Sequence, residues 1–230
     1  MARSIHTIFI PFSFREGKHP NPSLTDMNPI HLLILLLAGI PAFCQKNAPD
    51  EDIHATLLAG KKRSLIVYAG PTHSFTMETA SKTAKPSDIP GFITIDGQVL
   101  QSTLVPASPS VDLKNLTSAR EKEILIKYMN YELDYYKKKL RQHYSQLQTE
   151  WVTIKGRLFL VWYFDMPKDY KLVSRQVYLS TLFFDHVLDL NAPVFKMDHF
   201  DRAKGTLIKL AGSLKTYDKQ LDLGLLKRQL

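Results

Sequence analysis

Arg157-Leu158-Phe159-Leu160-Val161-Trp162-Tyr163-Phe164 is apolar at odd and even positions alike. Successive side chains of a strand point to opposite faces. A strand with this sequence therefore needs cover on both sides of its sheet. Trp151-Val152-Thr153-Ile154 leads into it through Lys155-Gly156, a turn pair, and Asp165-Met166-Pro167-Lys168-Asp169-Tyr170 closes it as a loop. Gln176–Phe184 reads as another long strand and Val187–Leu190 as a further short one, which Asn191-Ala192-Pro193 breaks. Consecutive strands joined by short turns pair antiparallel.

Working upstream, Ser118-Ala119-Arg120-Glu121 has the spacing of a capping box, in which the serine oxygen and the glutamate each satisfy a free amide at a helix start. Leu125, Met129, Leu133, Tyr136, Leu140, Tyr144 and Leu147 follow at spacings of three and four, one continuous helical face. Glu121 and Glu123 at the start and Lys137, Lys138, Lys139 and Arg141 late both suit the helix dipole. The pattern predicts one long helix over about 119–147. Downstream, Asp198 reads as the cap of a final helix over about 199–215, with Phe200, Leu207, Ile208, Leu210, Ala211 and Leu214 as its apolar face. Further upstream, Ser64–Ala69 is a strand ended by Gly70-Pro71. Ile93-Thr94-Ile95 and Gln98-Val99-Leu100 flank Asp96-Gly97, a strong hairpin signal. The segment 93–100 looks like 152–159, as two hairpins of one kind would. Strands, a long helix, a strand meander and a final helix make an α+β fold with a mainly antiparallel sheet.

Domain organisation follows from a leader. Leu32–Ile40 is an apolar run too short to span a bilayer, and Ala42-Phe43-Cys44 gives the small-x-small pattern that signal peptidase accepts. Residues 27–44 thus read as a signal peptide cut between Cys44 and Gln45. Residues 1–26 read as a gene-start artefact or unstructured leader, because a compact signal would begin at Met27. Bulky Phe43 just before Cys44 argues against a lipoprotein. Residues 45–62 read as a loose lead-in, 63–216 as a single α+β domain and 217–230 as a tail. The expected location is the periplasm or the exterior, with no transmembrane span after cleavage.

The chain carries a formal net charge of +8, with 44% hydrophobic and 23% charged residues, the balance of a globular protein. Without the leader, 27 basic and 20 acidic residues remain. A basic surface favours anionic partners. Cys44 is the single cysteine, so the mature domain has no disulfide framework and no cysteine-ligated metal.

Chemistry-bearing patterns are sparse. His54, His73, His143, His186 and His199 show no metal-ligand spacing, no Gly-x-Ser-x-Gly elbow is present, and no glycine-rich phosphate loop exists. No cofactor and no metal are expected. Asp185-His186 and Asp198-His199 are acid–histidine pairs near element ends, and His73 lies between Thr72 and Ser74. These histidines, His73, His186 and His199, are the only sensible bases if the chain is an enzyme. Tyrosines crowd the long helix beside basic residues, which makes Tyr135, Lys138 and Arg141 the binding candidates. An exported protein seldom meets nucleic acid, so none is expected as partner.

The meander Arg157–Phe164 and Gln176–Leu190, running into Ala203–Leu214 and Ser213-Leu214-Lys215, resembles the Mog1/PsbP-like group of small α/β/α sandwiches over roughly residues 61–216. It is also similar to exported proteins of Gram-negative bacteria. The resemblance implies a mostly non-catalytic accessory or protein-binding module. The expected function is an exported, non-enzymatic cell-envelope protein that binds a protein or an anionic surface. The alternative is a secreted hydrolase whose site is assembled from distant residues.

Overall fold

A computed structural model of the protein describes residues 8–9, 51–80, 84–87, 91–107, 116–138 and 143–230. The signal-peptide reading of 27–44, its cut at Cys44 and Gln45, and Arg141 fall outside these residues.

The described strands form two sheets, antiparallel throughout. In chain order they are β1 (Ile8–Phe9), β2 (His54–Ala59), β3 (Ser64–Ala69), β4 (Ser74–Thr79), β5 (Lys85–Pro86), β6 (Phe92–Ile95), β7 (Gln98–Pro106), β8 (Ser145–Ile154), β9 (Arg157–Asp165), β10 (Val173–Phe183), β11 (His186–Phe195) and β12 (Lys215–Tyr217). The larger sheet runs β5-β6-β7-β11-β10-β9-β8 and the smaller β1-β2-β3-β4-β12. Three helices are described: α1 (Ser118–Lys138), α2 (Phe200–Gly212) and α3 (Leu223–Arg228). The fold is α+β with antiparallel sheets, as the element order predicts.

The doubly apolar strand sits where its composition demands. Phe159 and Val161 of β9 point into a core shared with α2 and the smaller sheet. Leu160, Trp162 and Phe164 point into a second core roofed by α1. The larger sheet is thus covered on one face by α1 and on the other by α2 beside the smaller sheet. Tyr68 of β3 pins the two sheets, donating its hydroxyl to the Ser102 carbonyl of β7 at 2.7 Å. The two look-alike segments both form hairpins, with positive φ at Asp96 and Gly97 (49° and 81°) and at Lys155 and Gly156 (49° and 80°). Those angles are the type I′ geometry that matches strand twist, and glycine takes its second position without strain.

Several boundaries differ from expectation. Thr117, not Ser118, caps α1: its Oγ1 accepts from the Arg120 amide at 3.2 Å. The helix ends within the described residues at Lys138, and Ser145–Leu147, expected as its last turn, opens β8. Pairing with β9 from Ser145 onward outweighs the helical spacing of Tyr144 and Leu147. β11 does not break at Asn191-Ala192-Pro193 but runs on to Phe195. Pro193 is tolerated because the ladder to β7 has already ended at Asn191, so its missing N–H removes no bond. His199, not Asp198, is the N-cap of α2, and makes no side-chain cap bond. β2 lies in the stretch expected as a lead-in, and β12 and α3 lie at the C-terminal end.

Candidate functional site

The Lys155-Gly156 turn ends at Arg157, and the C-terminal end of α2 runs into β12 beside it. Together they enclose a pocket of about 460 Å³ lined by Ile154, Lys155, Arg157, Phe159, Ala211, Leu214, Lys215, Thr216 and Tyr217. The floor is apolar, the hydroxyls come from Thr216 and Tyr217, and the charges are three cations with no acid in the lining. Arg157 is the most constrained of them. Its Nη1 donates to the Leu182 carbonyl at 2.7 Å, and its guanidinium lies 4.9 Å from the centre of the Phe183 ring. Burial lowers its pKa and the Glu121 carboxylate offsets this in part; a guanidinium stays charged all the same. Lys155 and Lys215 have no ion-pair partner among the described residues. A rigid guanidinium with two lysines over an apolar floor can hold a carboxylate or phosphate attached to an apolar body.

The histidines expected as bases are held at separate places. His73, in the β3–β4 turn, bonds through Nδ1 to Glu51 Oε2 at 2.7 Å, and its ring packs 4.2 Å from that of Phe184. Burial alone would raise the Glu51 carboxyl, but the backbone and ring of His73 and the Thr72 amide outweigh it and hold it down at about 2. Ser74 Oγ is spent on the Lys219 carbonyl at 2.7 Å. His186 is buried at the start of β11 with Nδ1 2.5 Å from Asp185 Oδ1. His199 is exposed at the start of α2. No hydrogen bond or ion pair joins any two of them among the described residues, and none lines the pocket.

Of the helix candidates, Tyr135 is half-buried at the margin of the core under α1. Lys138 is exposed and paired with Asp134 at 2.8 Å. Tyr128 and Tyr136 are buried, so these tyrosines roof the sheet.

Under that roof lies a polar group of residues that sequence reasoning missed. Asp189 of β11 accepts from Ser180 Oγ at 2.5 Å, which in turn accepts from Trp162 Nε1 at 3.0 Å. Asn191 Nδ2 donates to Gln101 Oε1 at 3.2 Å. Glu132 of α1 hangs above, with Oε1 buried and without a partner, as are Asn191 Oδ1 and both amide atoms of Gln176. Burial, then the charge of Asp189, pushes the Glu132 carboxyl up to about 8. Burial pushes Asp189 up to about 7 despite the donors Ser180 and Asn191. No cation among the described residues acts on either group, so both are held neutral by protons at mildly acidic pH. The pair is sealed from solvent, whereas the basic pocket is open to it. The pocket escaped sequence reading because Lys215 reaches Lys155 and Arg157 only through tertiary packing. The Lys155-Gly156-Arg157 turn was its one visible sign.

Among the described residues, no group of three or more histidine, cysteine or acidic side chains is placed to hold a metal. No helix among them is long and apolar enough to cross a membrane. No family model and no curated protein matches the chain. Among solved structures it is similar to the solution structure of cyanobacterial PsbP (CyanoP) from Synechocystis sp. PCC 6803. The match has 10% sequence identity and a TM-score of 0.39, over 78% of this chain and 100% of that one. At that level the likeness carries no argument about this chain.

Proposed function

We propose that this protein is an exported, non-enzymatic protein of the cell envelope, periplasmic or released, that binds an acidic partner protein through its basic pocket. The observation that carries the reading is the lining: Lys155, Arg157 and Lys215 converge on an apolar floor whose lining contains no acid. Three like charges around one cavity, of which only Arg157 feels a carboxylate, that of Glu121, repel one another, an arrangement that a bound anion relieves. The net charge of the cleaved chain, 27 basic less 20 acidic residues or +7, steers acidic partners in the same sense. The apolar floor supplies affinity that charge alone does not.

The test uses the full chain and a fluorescein-labelled ten-residue peptide of alternating glutamate and valine, read by fluorescence anisotropy. Joint Lys155→Glu and Lys215→Glu substitution is expected to weaken binding by about tenfold or more, and raised salt to weaken it for the native chain. Binding that ignores both would sink the pocket. Export has its own check, the N-terminal mass of protein recovered from its native envelope or medium. A chain beginning at Gln45 is expected, and an uncleaved cytoplasmic chain would overturn that part of the reading.

A further inference from the structure

β8 ends the larger sheet, and among the described residues it pairs only with β9. The two-residue turn at Lys155-Gly156 sets the phase of that pairing. Ile154 and Arg157 flank it as a hydrogen-bonded pair, and the bonded positions then alternate back through Val152, Glu150 and Gln148. Thr149, Trp151 and Thr153 therefore each turn an N–H and a C=O outward, away from β9. Natural proteins guard such an edge with proline, lysine, a bulge or a very short strand. The opposite end of the sheet has that protection: β5 is two residues long and contains Pro86. β8 is ten residues long, carries no proline or lysine, and keeps regular register from Gln148 to Ile154. Its one irregularity lies between Ser145 and Gln148. Its only charge, Glu150, is taken up by Lys204 at 2.5 Å.

We propose that the outer edge of β8 accepts an extended acidic segment of a partner protein as an added antiparallel strand, whose leading acidic residues enter the Lys155–Arg157–Lys215 pocket. The inference rests on the binding reading above and names how the partner is held. Backbone bonds to Thr149, Trp151 and Thr153 give affinity, and side chains that alternate between the two faces give selectivity. A cation flanks the α1 face, where Lys122 stands 5.4 Å from the centre of the Trp151 ring; on the α2 face the Lys204–Glu150 pair leaves no net charge to repel an acidic strand. The pocket begins at Ile154, where the strand ends. A second copy of the cleaved chain would bring another net charge of +7 against the first, so charge selects an acidic partner over self-association.

The test compares the glutamate–valine peptide with the same peptide N-methylated at alternate backbone amides, and the native chain with Thr149→Pro. Proline at position 149 removes an outward N–H and leaves the ladder to β9 intact, so the variant keeps its fold. N-methylation and Thr149→Pro are each expected to weaken binding about tenfold. The bound peptide is expected to slow amide exchange at Thr149, Trp151 and Thr153. If the lysine reversals weaken binding while N-methylation and Thr149→Pro do not, the pocket stands and strand addition is overturned. If neither set matters, both readings fall. Sedimentation as a dimer with those amides protected before peptide is added would assign the edge to a second copy and overturn the proposal.

Discussion

Glu132 and Asp189 are titratable side chains placed where a charge cannot be solvated. Their carboxyl groups bind protons more tightly in the folded chain, at about 8 and about 7, than an unfolded chain would. The native state then holds more protons than the unfolded state from the ordinary carboxylate range, 3.8 and 4.5, up to those values, and stability falls as pH rises through that window. Glu51 works in the opposite sense. Its carboxyl, held down at about 2, contributes stability above the ordinary glutamate range that is lost as pH falls from about 4.5 toward 2. Thermal stability is therefore expected to peak at about pH 4, read from Tm across pH 3–9. Glu132→Gln removes one charge without changing shape, and is expected to raise Tm at pH 8 and flatten the alkaline limb, with Asp189→Asn acting alike. An alkaline limb unchanged in the double variant would show that the pair is not buried as described. The sequence carried a trace of this pair: Tyr128, Glu132 and Tyr136 recur every four residues, and Asp189 interrupts an apolar strand. Neither trace shows by itself that helix and strand face each other.

At the scale of elements, legibility followed the strength of local physics. The two hairpins were visible because Asp96-Gly97 and Lys155-Gly156 satisfy the demand of a type I′ turn, a purely local condition. The doubly apolar β9 was visible because two-sided burial is written in its composition. The C-terminal end of α1 was not. Helical spacing continues through Leu140, Tyr144 and Leu147, yet Tyr144 instead packs its ring 5.1 Å from Phe164 and Leu147 lies on an exposed strand. Periodicity scores a face and cannot weigh it against a partner strand that lies downstream. Pro193 misled for a related reason. Proline forbids only a lost ladder bond, and whether a bond exists there depends on how far β7 extends. The proposed binding site shows the same division. The basic turn and the edge strand are local features, whereas Lys215 joins them only after β12 has paired with β4. That is why the histidine and tyrosine candidates, conspicuous in sequence, lie apart from the pocket in the fold.

Across the whole molecule, the smaller sheet decides how the C-terminal end behaves. Its inner face, with Leu57, Ile66, Tyr68 and Phe75, packs on the larger sheet. Its outer face, Leu58, Leu65 and Val67, would meet water but for Leu221, Leu223, Leu226 and Leu230. The segment expected as a free tail thus closes a third apolar cluster. Backbone contacts hold it there. Arg63 Nη2 donates to the Gln229 carbonyl at 3.3 Å, and a Cβ placed on Gly60 would fall 2.5 Å from that of Leu230. A chain stopped after Tyr217 keeps β12 but uncovers three buried aliphatic side chains, a loss of roughly 3–5 kcal/mol at ordinary values for apolar burial. The truncated protein is expected to unfold at lower urea and to bind a hydrophobic dye in its folded baseline. Leu226→Ala is expected to move the midpoint the same way by less. Leu225→Ala, on the exposed side of the same helix, is expected to leave it in place, which separates loss of packing from loss of helix. An unchanged midpoint on truncation would mean that the last residues only rest on the sheet, and that β2 and β3 hold their place through the inner face alone.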